Sequence, residues 1–304
     1  MEKLQSKIHD LGWKVKITAI DHLDDLRFSI LSRLEQGQID KKLYNDQLSF
    51  FSFDPPADLP EARSILIVAV PTPQMRIFFQ FKGKRIPVII PPTYVSYTPR
   101  THMTQDAVAD LLKQEGYQVA KPQLPLKTLA VNSGLAKYGR NNICYVDGMG
   151  SFLQLVGVFS DLPCNNDHWK QPEMLDRCKL CKVCLRNCPT KAIIEDRFLV
   201  HAENCLTYHN EASCEFPGWI NPSWHHSLFG CMRCQTVCPE NRKVFKWIED
   251  RAEFSELETN LFIKSVPFEQ LPEEMSCKIK GLEINENYHN LCRNLNMILI
   301  KNQC

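Results

Sequence analysis

The 304-residue chain has almost no net charge, no long hydrophobic run and no leader-like start, and each absence removes a class of function. With 36 basic against 35 acidic side chains, no global field draws in nucleic acid or an anionic membrane, so only a local basic patch could do so. The longest apolar runs, such as Ile65 to Val70 and Leu155 to Phe159, are far too short to span a bilayer. The first twenty residues carry no apolar h-region, twin arginine or cleavage site, so we expect a cytoplasmic protein with no membrane partner. Nor is there an internal repeat that would suggest a solenoid.

What the chain does have is cysteine, 14 in all. Cys178-x2-Cys181-x2-Cys184-x3-Cys188-Pro189 is the bacterial-ferredoxin run, in which three thiolates wrap one iron–sulfur cube and the fourth serves the other cluster of a two-cluster protein. A shorter copy, Cys231-x2-Cys234-x3-Cys238-Pro239, lacks one ligand. Cys205 is well placed to supply it, and Cys214 competes for the same position. If the last cysteine of each run crosses over, Cys178, Cys181, Cys184 and Cys238 hold one [4Fe-4S] cluster. Cys231, Cys234, Cys188 and Cys205 then hold the second. Pro189 and Pro239 turn the chain away from each cube. Paired C-x2-C motifs also bind zinc, but two linked runs ending in Cys-Pro are far more specific for iron–sulfur. A disulfide framework does not suit closely spaced cysteines in a chain with no secretion signal. Cys144, Cys164, Cys277, Cys292 and Cys304 read as buried or incidental thiols.

Residues 1–165 read as an α/β body. Asp21 can cap a helix carrying Leu23, Leu26, Ile30 and Leu34, and Ser64 to Val70 reads as a strand buried on both faces. Ile77 to Phe81 and Ile86 to Ile90 flank Lys82-Gly83-Lys84 as a hairpin, and Met103 to Leu112 makes a helix stopped at Gly116. Ile143 to Val146 and Ser151 to Ser160, around Asp147-Gly148, read as a second hairpin. Residues 166–245 carry the cluster ligands with little apolar periodicity, so metal–thiolate bonds should stabilise them. In 246–304, Phe262, Ile263, Leu282, Leu291, Leu295, Ile298 and Leu299 suggest helices packing back on the body. A two-cluster module conducts electrons and transforms nothing by itself, so the body should hold an acceptor.

Ser133-Gly134-Leu135-Ala136-Lys137-Tyr138-Gly139-Arg140-Asn141-Asn142, with Gly150-Ser151-Phe152 after it, resembles the GLGWxGKN…GS signature of epoxyqueuosine reductases, whose cousins are the cobalamin-dependent reductive dehalogenases. Pro60 to Ser64 is similar to that family's PEARS segment. The resemblance covers roughly residues 58 to 245. It implies a nitroreductase-like cobalamin-binding body joined to a ferredoxin-like two-cluster domain, with the crossed ligation above and Cys205 rather than Cys214 as the fourth ligand. It further implies cobalamin over a loop of Gly134, Leu135, Gly139, Arg140, Asn141, Gly150 and Ser151. The glycines would let backbone approach the corrin, and Arg140 would pair with a corrin side chain or phosphate. His102 and Tyr97 loosely match a family segment and are candidate proton donors.

Two departures accompany the resemblance. Where the family carries an acid ahead of the signature, this sequence has Ala120, and only residues 246–304 follow the clusters, too few for the helical repeats with which longer members grip tRNA. The expectation is therefore a cobalamin-dependent iron–sulfur reductase of a small or nucleoside-like substrate, fed by a low-potential donor such as ferredoxin or flavodoxin, with tRNA not a partner. The alternatives are a corrinoid-activating electron-delivery protein and an epoxyqueuosine reductase with a relocated acid.

Overall fold

The N-terminal third of the chain is organised around one strand, buried from Ser64 to Val70. The structure is a computed structural model describing residues 2–165 and 167–301, and Cys304 lies outside them. In chain order, α1 (Glu2–Asp10), β1 (Lys14–Ala19), α2 (Leu23–Glu35) and α3 (Lys41–Gln47) lead into β2 (Ser64–Pro71). Then come β3 (Gln74–Phe81), β4 (Lys84–Ile90), α4 (Tyr97–Lys113), β5 (Val119–Ala120), α5 (Leu126–Asn132), β6 (Lys137–Tyr138), β7 (Cys144–Tyr145) and β8 (Leu153–Ser160). The cysteine-rich stretch has only the short α6 (Val183–Asn187), α7 (Leu206–Glu211) and α8 (Arg233–Thr236). The chain finishes with β9 (Ile248–Phe254), α9 (Glu256–Ile263), α10 (Glu273–Gly281) and α11 (Tyr288–Lys301).

The first sheet runs β1-β2-β8-β5, antiparallel throughout. Side chains alternate across a strand, so Ile65, Ile67 and Ala69 of β2 enter one core while Leu66, Val68 and Val70 enter another. That double burial explains a continuous apolar run in a strand whose two pairings are both antiparallel. The second sheet runs β4-β3-β9, with β9 parallel to β3. Met75, Ile77, Phe79 and Phe81 point into a core shared with Phe254, Phe262 and the apolar face of α11.

Several expectations need correction. Asp21 sits in a 3-10 turn and caps nothing; the residue preceding α2 is His22, whose ring bonds Asp25 and Asp167. The second hairpin does not close as read. β7 pairs with β6, while β8 crosses to β2, and only a Val146–Gly150 bridge joins the strands of the expected turn. The C-terminal segment is not all helical, because β9 extends the second sheet. Its sequence, IEDRAEF, hides the strand by placing charges on an exposed edge.

Candidate functional site

Two groups of four cysteines stand around two separate cavities. Cys178, Cys181, Cys184 and Cys238 line a small one with Arg140, Asn141 and Glu240. Cys188, Cys205, Cys231 and Cys234 line a large one of about 720 Å³ that reaches through the body. Cys214 is exposed and belongs to neither wall. Burial pushes the Cys184 thiol up to about 11 and that of Cys231 up to about 12, and it raises those of Cys178, Cys205 and Cys234. Desolvation favours neutral thiols here, so a bound metal cluster must displace their protons.

The body grips the cysteine-rich segment through the motif residues. Arg140 donates to the carbonyls of Cys178 (2.7 Å) and Cys181 (3.2 Å). It thus braces the first cysteine loop and is no residue of the large cavity, which corrects its expected pairing with a cofactor. Asn141 lies in the walls of both cavities. Its amide donates to the Tyr145 hydroxyl (3.1 Å), Tyr145 bonds the Cys238 thiol, and Asn141 bonds that of Cys234. Gly139 makes this possible, since a Cβ there would stand 2.4 Å from Asn141 Oδ1 and 2.6 Å from Tyr145 Cε2. Gly150, with φ +57°, admits Asn241 in the same way; a Cβ would lie 2.4 Å from its Oδ1. Asn241 Oδ1 accepts from the Ser151 amide at 2.9 Å, and its Nδ2 donates to Ser151 Oγ at 2.8 Å. These two glycines serve contact between polypeptide segments rather than approach to a corrin.

Of the other expected cofactor residues, Leu135 is buried in the core and Gly134 faces Lys170 and His168, both outside the large cavity wall, whereas Asn141 and Ser151 are in it. Tyr97 also lines that cavity, and burial raises its hydroxyl pKa. His102 stands exposed on α4 outside the wall, so it is not placed to serve a substrate there. Ala120 pairs with Phe159 of β8, with its methyl in the core. Tyr94, absent from the expected site, lines the cavity, and its hydroxyl donates to the carboxyl group of Glu211, which lies outside the wall. No short-range pattern could have revealed that pair.

The cavity suits a large organic group. Its volume lies toward the upper end of the range for ligand pockets, and its wall mixes apolar side chains such as Ile30, Phe50 and Leu155 with polar ones such as Arg33, Lys127 and Asn141. Among the described residues, no helix is long and apolar enough to cross a membrane.

Comparison with known proteins agrees with this geometry. Residues 177–241 match the 4Fe-4S double cluster binding domain. The chain is similar to the epoxyqueuosine reductase of Cellulophaga algicola, 29% identical over 141 residues that make up 45% of this chain and 44% of that one. The chain spans less than half the length of the first curated relatives it matches. The structure of epoxyqueuosine reductase from Streptococcus thermophilus superposes with a TM-score of 0.70 at 20% identity, covering 99% of this chain and 81% of that one. An epoxyqueuosine reductase solved with an epoxyqueuosine-modified tRNA-Tyr stem loop gives the same TM-score at 18% identity, covering 99% and 80%. The fold is therefore that of epoxyqueuosine reductases, and the chain carries a two-cluster [4Fe-4S] domain.

Proposed function

We propose that this chain is an iron–sulfur reductase of the epoxyqueuosine reductase type. Cys178, Cys181, Cys184 and Cys238 would hold an entry cluster, and Cys188, Cys205, Cys231 and Cys234 a delivery cluster. One observation carries the reading: only the second group of thiols opens on the 720 Å³ cavity. Electrons from a low-potential donor such as ferredoxin or flavodoxin would enter at the first group and leave where a substrate can bind. A protein that only passed electrons to another protein's cofactor would need no cavity of this size.

Asn141, Ser151 and the Leu124–Thr128 stretch are the wall residues that would hold a cobalamin. Such a group supplies, when bound, a low-potential metal centre able to reduce an organic substrate. The substrate this reading takes is epoxyqueuosine in tRNA, as the names of the relatives suggest, which reverses the expectation drawn from net charge. A total of +1 excludes a global field but not local contacts, and Arg33, Lys127 and Arg233 all line the cavity. The test is anaerobic incubation of cluster-reconstituted, cobalamin-loaded protein with strong reductant and epoxyqueuosine-containing tRNA. Conversion to queuosine is expected. A fully loaded protein that leaves the epoxide intact would refute the assignment.

A further inference from the structure

The reading just given leaves one chemical need unmet. Removing an epoxide oxygen takes two electrons and two protons; two C–O bonds break, a C=C bond forms and the oxygen departs as water. The electrons come from the external donor through the clusters. The protons need a donor in the cavity, and the methyl of Ala120 is in the core of the first sheet.

Tyr94 stands in the cavity wall where that donor is required, with Glu211 bonded behind it. Tyr94 ends a short turn between β4 and α4, lines the large cavity and stacks on Phe229, ring centroids 6.3 Å apart. Gly230, directly before Cys231, lets the ring in; a Cβ there would lie 2.7 Å from Tyr94 Cε2 and 3.1 Å from its hydroxyl. Glu211 closes α7, the helix that begins just after Cys205, and its carbonyl accepts from Asn290 of α11 at 2.9 Å. The Tyr94 hydroxyl donates to the Glu211 carboxyl group. The pair therefore joins the cavity wall to two loops that carry thiols of the second group.

Resting on the reductase reading above, we propose that Glu211 and Tyr94 form its proton relay: the Tyr94 hydroxyl protonates the departing substrate oxygen, and the Glu211 carboxylic acid returns a proton to Tyr94. Burial raises the pKa of both groups and on Glu211 outweighs the opposing hydrogen bond from Tyr94 and pull of Lys127, so the pair favours holding protons over holding charge. Tyr94 is the catalytic residue, and Glu211 acts through it.

The test uses full-length protein with reconstituted clusters, as wild type, Tyr94→Phe and Glu211→Gln. Phenylalanine keeps the ring against Phe229 and removes only the hydroxyl, and equal iron content in all three proteins checks the fold. Wild-type-minus-E211Q infrared difference spectra at pH 7 should show a protonated carboxyl band, displaced in Y94F. In single turnover with cobalamin and epoxyqueuosine-containing tRNA, Y94F should be slower by roughly 10²- to 10⁴-fold at unchanged tRNA affinity. E211Q should be slow with a flattened pH profile. Wild-type turnover in Y94F, or no protonated carboxyl band at pH 7, would overturn the relay. If wild type itself leaves the tRNA unconverted, the substrate assignment fails, and the infrared band alone decides whether Glu211 holds the proton.

Discussion

At the scale of single residues, position relative to the two cavities decides which side chains matter. Cys205→Ser should cost the protein one cluster of two, leaving about four of roughly eight irons, whereas Cys214→Ser should leave iron and sulfide unchanged. Iron and sulfide analysis after anaerobic reconstitution checks both. Arg140 donates to two carbonyls within the first cysteine loop, and charge-assisted hydrogen bonds of this kind contribute about 1.5–3 kcal/mol each. Loss of even one such bond corresponds to roughly 10- to 100-fold, so Arg140→Met should speed loss of the first cluster in air by at least roughly 10-fold, read as decay of its EPR signal, with the second cluster outlasting it. The cysteines were legible because iron–sulfur ligation imposes a spacing. Tyr94 and Glu211 were not, because they lie 117 residues apart and only the fold joins them. Arg140 was legible as a motif residue but not in its role, since a charge in sequence does not reveal which carbonyls it will meet.

Among the elements, α11 joins the second core to the cysteine-rich segment. Arg293 donates to the carbonyls of Ala212 (2.6 Å) and His209 (2.8 Å), and Asn294 Nδ2 to those of Asn210 (2.9 Å) and Leu228 (2.7 Å). The end of α7 is thus capped by another helix, satisfying carbonyls it cannot satisfy itself. Beside this seam His225 is wholly buried, edge-on to Phe216 at 4.8 Å, with no hydrogen-bond partner on either ring nitrogen among the described residues. Burial, aided by neighbouring His226 and Arg293, lowers its pKa to about 4. The unfolded chain protonates this residue near 6.5 and the folded one does not, so stability is complete above that pH and falls as pH drops toward 4. Between pH 7 and pH 5 wild type should lose about 2 kcal/mol more than His225→Phe, measured from urea midpoints. Hairpin β3–β4 could be read directly from its Lys82-Gly83 turn and flanking apolar runs. Strand β9 could not, because its partner lies more than 160 residues away and the exposed Arg76–Asp250 and Arg85–Glu253 pairs give it a helix-like polarity.

For the molecule as a whole, the two sheets should respond differently to loss of iron. The first sheet has its own two cores, whose buried members all precede the cysteine-rich segment. The second shares its core with Leu228 and Phe229, only a few residues before Cys231. Stripping the clusters anaerobically should expose amides across residues 170–245 to hydrogen exchange and partly release those of β3, β4 and α11. Strands β2 and β8 should stay protected. Uniform exchange across both sheets would contradict this division.

The placement of Leu228 and Phe229 also bears on how long each copy of the protein survives. A chain made during iron starvation would lack two of the side chains that close its second core, and that opening is what housekeeping proteases detect. Abundance should then follow iron supply without any change in transcription, with cluster-free copies cleared while loaded ones persist.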